Sequence, residues 1–207
     1  MTAIREPVLM PVAIDALRPT QLTVGRREVE IKRKAWRDRS KPKERAYLGR
    51  HMIPVIHGPK DRYYIIDHHH LALALHEEGV KELLVTIYAN LSMLDDAVFW
   101  ATMDARVWVH PFDDKGKRRD YKAIPKHLRD MVDDPFRSLA GALRRIGGFA
   151  KETTPFSEFE WADFLRRRVK KTLVEKDFTR ALEKALGLAK SQDAIYLPGW
   201  CGPSPED

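Results

Sequence analysis

Residues Tyr63-Tyr64-Ile65-Ile66 end in Asp67-His68-His69-His70, which runs without a break into Leu71-Ala72-Leu73-Ala74-Leu75. The first run, aromatic and β-branched, reads as a buried strand; the second, closed by Gly79, reads as a buried helix with a glycine C-cap. Leu83-Leu84-Val85-Thr86-Ile87-Tyr88 is another strand. Met52-Ile53-Pro54-Val55-Ile56 is a third, joined to the Tyr63 strand by the turn formers His57-Gly58-Pro59-Lys60-Asp61. Ile53 to Tyr88 therefore reads β-β-α-β, with the helix packed across the sheet. No other stretch constrains the fold as tightly.

The turn inside this unit is also the best candidate for a site. A helix that follows a strand directly leaves its first backbone N–H groups unpaired, and these donors, with the helix dipole, attract anions. Asp67 stands where an N-cap belongs. His68, His69 and His70 occupy the first turn, where a histidine can donate to phosphate or move a proton near neutral pH. A turn needed only for packing would be cheaper in apolar residues. Neighbouring histidines diverge around a helix, and His69 and His76 are two turns apart, so the spacing gives no metal site.

Elsewhere the pattern is mostly helical. Val8 to Ile14 reads as a short strand, and Thr20 as the cap of a helix starting near Gln21. Lys32 to Arg45 is a dense basic stretch broken by Pro42. Beyond Leu91 the expected helices include one opened by Asp95-Asp96, Pro125 to Val132, and Pro135 to Ile146, with Asp134 as N-cap and Pro135 in the first turn. Another opens at Ser157, and a last one spans Glu175 to Lys190, with Phe178, Leu182, Leu186 and Ala189 facing a core. The tail after Leu197 reads as loosely held. The expected fold is α+β: a small mixed β-sheet with packed helices over residues 1–92, then an all-helical half over 93–207.

Composition narrows the partners. The net charge is +7 and 32% of the residues are charged, which suits nucleotide phosphates, nucleic acid or an acidic surface. One cysteine, Cys201, excludes an intramolecular disulfide and a multi-cysteine metal site. No apolar run reaches the ~20 residues of a membrane span, and the start lacks a signal-peptide core. The expectation is a cytoplasmic protein with no membrane partner; the sequence sets no oligomeric state.

Several of these segments resemble the ParB/sulfiredoxin-like superfamily: Pro11-Val12-Ala13-Ile14-Asp15-Ala16-Leu17-Arg18-Pro19-Thr20-Gln21, Ile53-Pro54-Val55-Ile56, Tyr64 to His70, Ala72 to Leu75 with Gly79, and Val85-Thr86-Ile87. Its members carry Asp-Gly-His-His-Arg or Asp-Gly-His-Arg-Arg after the strand. Here Asp67, His69 and His70 match, while His68 replaces the glycine and Leu71 the arginine. His69 stands at the reactive cysteine of sulfiredoxins, which argues against that chemistry. Without a Gly-Glu-Arg-Arg motif or a helix-turn-helix, chromosome partitioning is not expected either. Asp133-Asp134-Pro135-Phe136-Arg137-Ser138-Leu139 and Pro155 to Phe164 resemble a bacterial branch, the ParB-like nucleases.

The resemblance implies phosphate chemistry: a nucleotide, with Mg²⁺ as the cofactor that could accompany it, and a phosphotransferase or phosphodiesterase/nuclease reaction. Asp67, His69 and His70 would be catalytic, and His68, Arg18, Lys43, Arg45 and Arg137 would meet phosphate. The alternative is a non-catalytic DNA-binding module using the basic segments 32–45 and 166–171.

Overall fold

A computed structural model describes residues 9–39, 47–49 and 51–203. Lys43 and Arg45 lie outside the described residues. The chain divides into two interleaved units: residues 1–22, 29–113 and 118–132 form the first, and 23–28, 114–117 and 133–207 the second.

The first unit is built on a five-stranded mixed sheet. Its strands are β1 (Leu9–Ala13), β2 (Leu17–Arg18), β4 (Ile53–Gly58), β5 (Arg62–Ile65) and β6 (Glu82–Asn90), in the order β1-β6-β4-β5-β2. β4 pairs antiparallel with β5 but parallel with β6, so the chain between β5 and β6 must cross over. The crossover is helix α2 (His69–Glu77), which follows α1 (Arg26–Arg37) in the chain. The fold is α+β, and the β-β-α-β reading holds.

Every residue of α2 from Leu71 to Leu75 is buried. A helix apolar all round can sit only inside a core, and here Ile53, Val55, Ile65, Leu73, Leu75 and Val85 are all within 1% of complete burial. Gly79, at φ +77°, then turns the chain toward β6. A second cluster gathers Ile56 and Tyr64 with Phe99 and Met103 of α3 (Asp96–Ala105), whose N-cap Asp95 accepts from the Ala97 and Val98 N–H groups.

In the second unit the described helices are α4 (Pro135–Arg145), α5 (Ser157–Arg166), α6 (Lys171–Lys176) and α7 (Phe178–Lys190). Asp134 caps α4 through the Phe136 N–H at 3.0 Å, with Pro135 in the first turn, as the sequence requires. Trp161 is fully buried, lies parallel to Phe149 at 4.4 Å, and donates from Nε1 to the Pro198 carbonyl at 2.8 Å.

Several expectations need correction. Residues 20–25 form no helix; Thr20 uses its hydroxyl elsewhere, and Thr23–Val24 is a short strand, β3. The stretch 125–132 holds a 3-10 turn at Leu128–Asp130 and leads into another short strand, β7 (Val132–Asp133), rather than a helix. The last helix is two, divided at Asp177, whose side chain accepts from the Arg180 N–H. The face α7 buries is Ala181, Ala185 and Ala189, and Phe178, Leu182 and Leu186 flank it half-buried. The chain past Leu197 is anchored: Ala150 N–H donates to the Gly199 carbonyl at 2.7 Å, and a Cβ at Gly199 would collide with the Ala150 carbonyl.

Candidate functional site

The ladder of β5 is extended by Ile66, whose N–H donates to the Pro54 carbonyl at 3.1 Å, and the chain then turns into α2. Asp67 projects into solvent with 74% of its side chain exposed, and its Oδ1 accepts from the His68 N–H at 2.6 Å. This carboxylate sits one residue too early to cap the helix. The N-cap is His68, in the left-handed region at φ +65° and ψ +25°; its side chain makes no capping hydrogen bond. No acidic residue stands in the first turn itself, so the carboxylate nearest the positive end of α2 is Asp67, held on the His68 N–H.

The left-handed backbone at His68 explains why glycine suits that position in the resembling sequences. A side chain there costs about 1–2 kcal/mol, and strain of this kind tends to persist at functional sites. His68→Gly should raise stability by about 0.5–1 kcal/mol after the entropy glycine restores to the unfolded chain. Urea unfolding of the two proteins checks this; a less stable variant would mean that the His68 ring supports the turn.

His69 goes inward, only 5% exposed. Its Nε2 accepts from the Thr20 N–H at 3.1 Å, so the ring is neutral with its proton on Nδ1. The Thr20 hydroxyl, 3.4 Å from the same nitrogen, donates to the Ile65 carbonyl at 2.7 Å. Parallel pairing of Leu17 with Tyr63 and Arg18 with Tyr64 brings Thr20 to this edge of the sheet. Sequence reasoning missed Thr20 as part of the site. The one available signal was the lack of helical periodicity in Thr20-Gln21-Leu22-Thr23, all four of which are buried.

The side chain of Arg18, half-buried on β2, has no ion-pair or hydrogen-bond partner among the described residues. His70 is half-buried in the first turn of α2. The structure thus brings Arg18, Asp67, His68, His69 and His70 to the β2–β5 region of the first unit.

Arg137 belongs to the second unit and is 5% exposed. Its guanidinium lies 3.3 Å from the centre of the Phe159 ring. Burial pushes its pKa down to about 10, against the pull of Glu158, Asp134 and Glu28. Nε and Nη1 are buried without a hydrogen-bond partner, so its surroundings are carboxylates and a ring rather than an open cleft. Around it, Glu28 pairs with Arg145, and Glu158 with Arg144. Gly141 makes room for Glu28: a Cβ there would come 2.8 Å from the carboxylate carbon.

Among the described residues no group of three His, Cys, Asp or Glu side chains could hold a metal ion, and no helix is long and apolar enough to cross a membrane. No curated protein matches the sequence. Among solved structures, the crystal structure of protein Atu1540 from Agrobacterium tumefaciens is 55% identical, with a TM-score of 0.91, over 96% of this chain and 99% of that one. The family described as "Putative ParB-like nuclease" matches residues 10–167. With the match spanning both the strand-to-helix turn and the Asp134–Arg166 helices, the chain belongs to this family of ParB-like proteins.

Proposed function

We propose that the protein binds a nucleotide, or another phosphate ester, at the Asp67–His70 turn and acts on a phosphorus–oxygen bond there. The observation that carries this reading is the start of α2: its N-cap side chain leaves the first turn uncapped, and no acidic residue stands within that turn. Arg18, with no carboxylate partner among the described residues, adds a cation on the neighbouring strand. A ligand phosphate would complete both. The family description makes a phosphodiester the natural bond class for hydrolysis. The turn's place at a strand–helix junction of a small mixed sheet suits the ParB/sulfiredoxin-like layout.

Roles follow from placement. His68 and His70 are the histidines with solvent access and so the proton carriers. His69, held through Nε2 by Thr20, fixes the turn against the neighbouring strand. Asp67 is a single exposed carboxylate, too little for a protein-made magnesium cage but enough to hold an ion that arrives with phosphate oxygens. That ion would neutralise phosphate charge; Asp67 would orient it.

Calorimetry with ATP and ADP, with and without Mg²⁺, tests this. Wild type should bind, and Asp67→Ala should weaken binding in Mg²⁺ at least about tenfold, or about 1.4 kcal/mol, while losing the magnesium dependence. Without Mg²⁺ the variant should bind no worse than wild type, because the carboxylate only repels phosphate there. A wild-type protein that takes up no nucleotide under any of these conditions would end the proposal.

A further inference from the structure

In the second unit a cleft of about 460 Å³ opens between the loop at Asp114-Lys115 and the segment from Arg166 to Lys171. Its floor is apolar, Phe136 and Val169, and its walls carry Lys115, Arg166, Arg167, Arg168, Lys170 and Lys171 against the single carboxylate of Asp114. We propose that this cleft is a binding site for the backbone of a single-stranded nucleic acid, separate from the Asp67–His70 turn and independent of what happens there.

The walls are fixed. Arg166 is only 15% exposed; it pairs with Asp134 and Asp163, and its Nε donates to the Asp114 carbonyl at 3.1 Å. Gly116, at φ +71°, closes the same wall. A Cβ there would come 2.6 Å from Asp163 Oδ1, so glycine lets the 114–117 loop rest on α5. Arg168 is held by the Phe164 ring, 4.0 Å from its centre, and lies 3.7 Å from Asp193. Lys171 lies 3.5 Å from Asp114 and partly neutralises it.

What remains is excess positive charge. The Arg167 and Lys170 side chains are exposed and have no ion-pair or hydrogen-bond partner among the described residues. An ordinary solvated surface intersperses charges of both signs; here Arg166-Arg167-Arg168-Val169-Lys170-Lys171 contains no acid. Like charges gathered over an apolar floor repel one another, and a polyanion relieves that by releasing its own counterions. The cleft is open to solvent, so a strand can reach it from outside. Phosphates spaced along a strand match the several cations that line the cleft, and the strand's counterions are released on binding.

The test is fluorescence anisotropy of a labelled single-stranded oligonucleotide of about 16 nucleotides, titrated with the full chain across a salt series. Charge reversal of both unpartnered cations, R167E/K170E, should weaken binding at least about tenfold. It should also reduce the steepness of the salt dependence by about 1.4, because two phosphates are no longer neutralised. Lys184→Glu, an exposed lysine on α7 away from the cleft lining, should change affinity less than about twofold. A loss in K184E half as large as that in R167E/K170E on a logarithmic scale, or larger, would reduce the effect to net charge, since one reversal changes the charge by half as much as two, and would overturn the site. Competition by polyglutamate as effective as by unlabelled oligonucleotide would assign the cleft to acidic protein segments instead. Displacement of the strand by inorganic pyrophosphate at micromolar concentration would make it a small-anion site; both results overturn the proposal.

Discussion

Asp134→Ala is expected to cost the second unit about 4 kcal/mol, read as a fall in urea midpoint at unchanged slope. Two losses contribute. Asp134 Oδ1 caps α4 through the Phe136 N–H, and removing such a cap costs about 1 kcal/mol. The side chain is also 2% exposed and faces Arg166, and breaking a buried pair from one side costs about 3–5 kcal/mol. The lower end of that range applies, because Asp163 still faces the Arg166 guanidinium. Asp134→Asn separates the two contributions: asparagine caps as well as aspartate, so the variant should fall short of wild type by the pair alone, about 3 kcal/mol.

The pH dependence of this difference follows from burial. Burial raises the Asp134 carboxyl above its ordinary value of 3.8, and Arg166 only partly opposes it. The folded protein therefore holds this proton more tightly than the unfolded chain. The corresponding stability is fully present below the ordinary value and is lost as pH rises through the raised one. Wild type should gain on Asp134→Ala upon acidification in that window, and the asparagine variant, with nothing to titrate at this position, should not show the gain.

Much of the first unit was legible because its signals are local. Three short apolar strands, a helix with no polar face and Gly79 at its end leave few arrangements, and the β-β-α-β order follows. Asp134-Pro135 marked the start of α4 for the same reason. The misread segments are those settled by distant partners. Thr20 looks like a helix cap until Ile65 and His69, 45 and 49 residues away, take its hydroxyl and its N–H. By its spacing the last helix should bury its largest residues, yet Ala181, Ala185 and Ala189 form the inner stripe, since small side chains at intervals of four let helices approach closely. The tail looked loose because nothing in its composition announces that Trp161 Nε1 needs the Pro198 carbonyl. At the turn, Asp67 reads as the N-cap by its place after a strand, but the left-handed backbone at His68 puts the cap one residue later. The inward commitment of His69 was not, because adjacent histidines look alike until the helix assigns each a direction.

That commitment can be tested without a substrate. His69→Ala is expected to destabilise the first unit by about 3 kcal/mol: it leaves the buried Thr20 N–H without an acceptor, at about 1–3 kcal/mol, and opens a cavity where a ring 5% exposed had been. His69→Gln is the informative companion. Its side-chain carbonyl reaches about as far as Nε2 and can accept the same N–H, so it should recover at least half of the lost stability. If His69 serves to hold Thr20 and the turn in place, the glutamine variant should also keep nucleotide binding within about threefold of wild type. If His69 transfers a proton, the glutamine variant should be stable, bind nucleotide normally and lose turnover, because an amide cannot carry a proton near neutral pH. Thermal unfolding and calorimetry on the two variants, with a turnover assay on the second, therefore separate a histidine that positions the turn from one that does chemistry. The 3.1 Å bond from the Thr20 N–H favours positioning, since a nitrogen already accepting from the backbone has no lone pair left for a substrate proton.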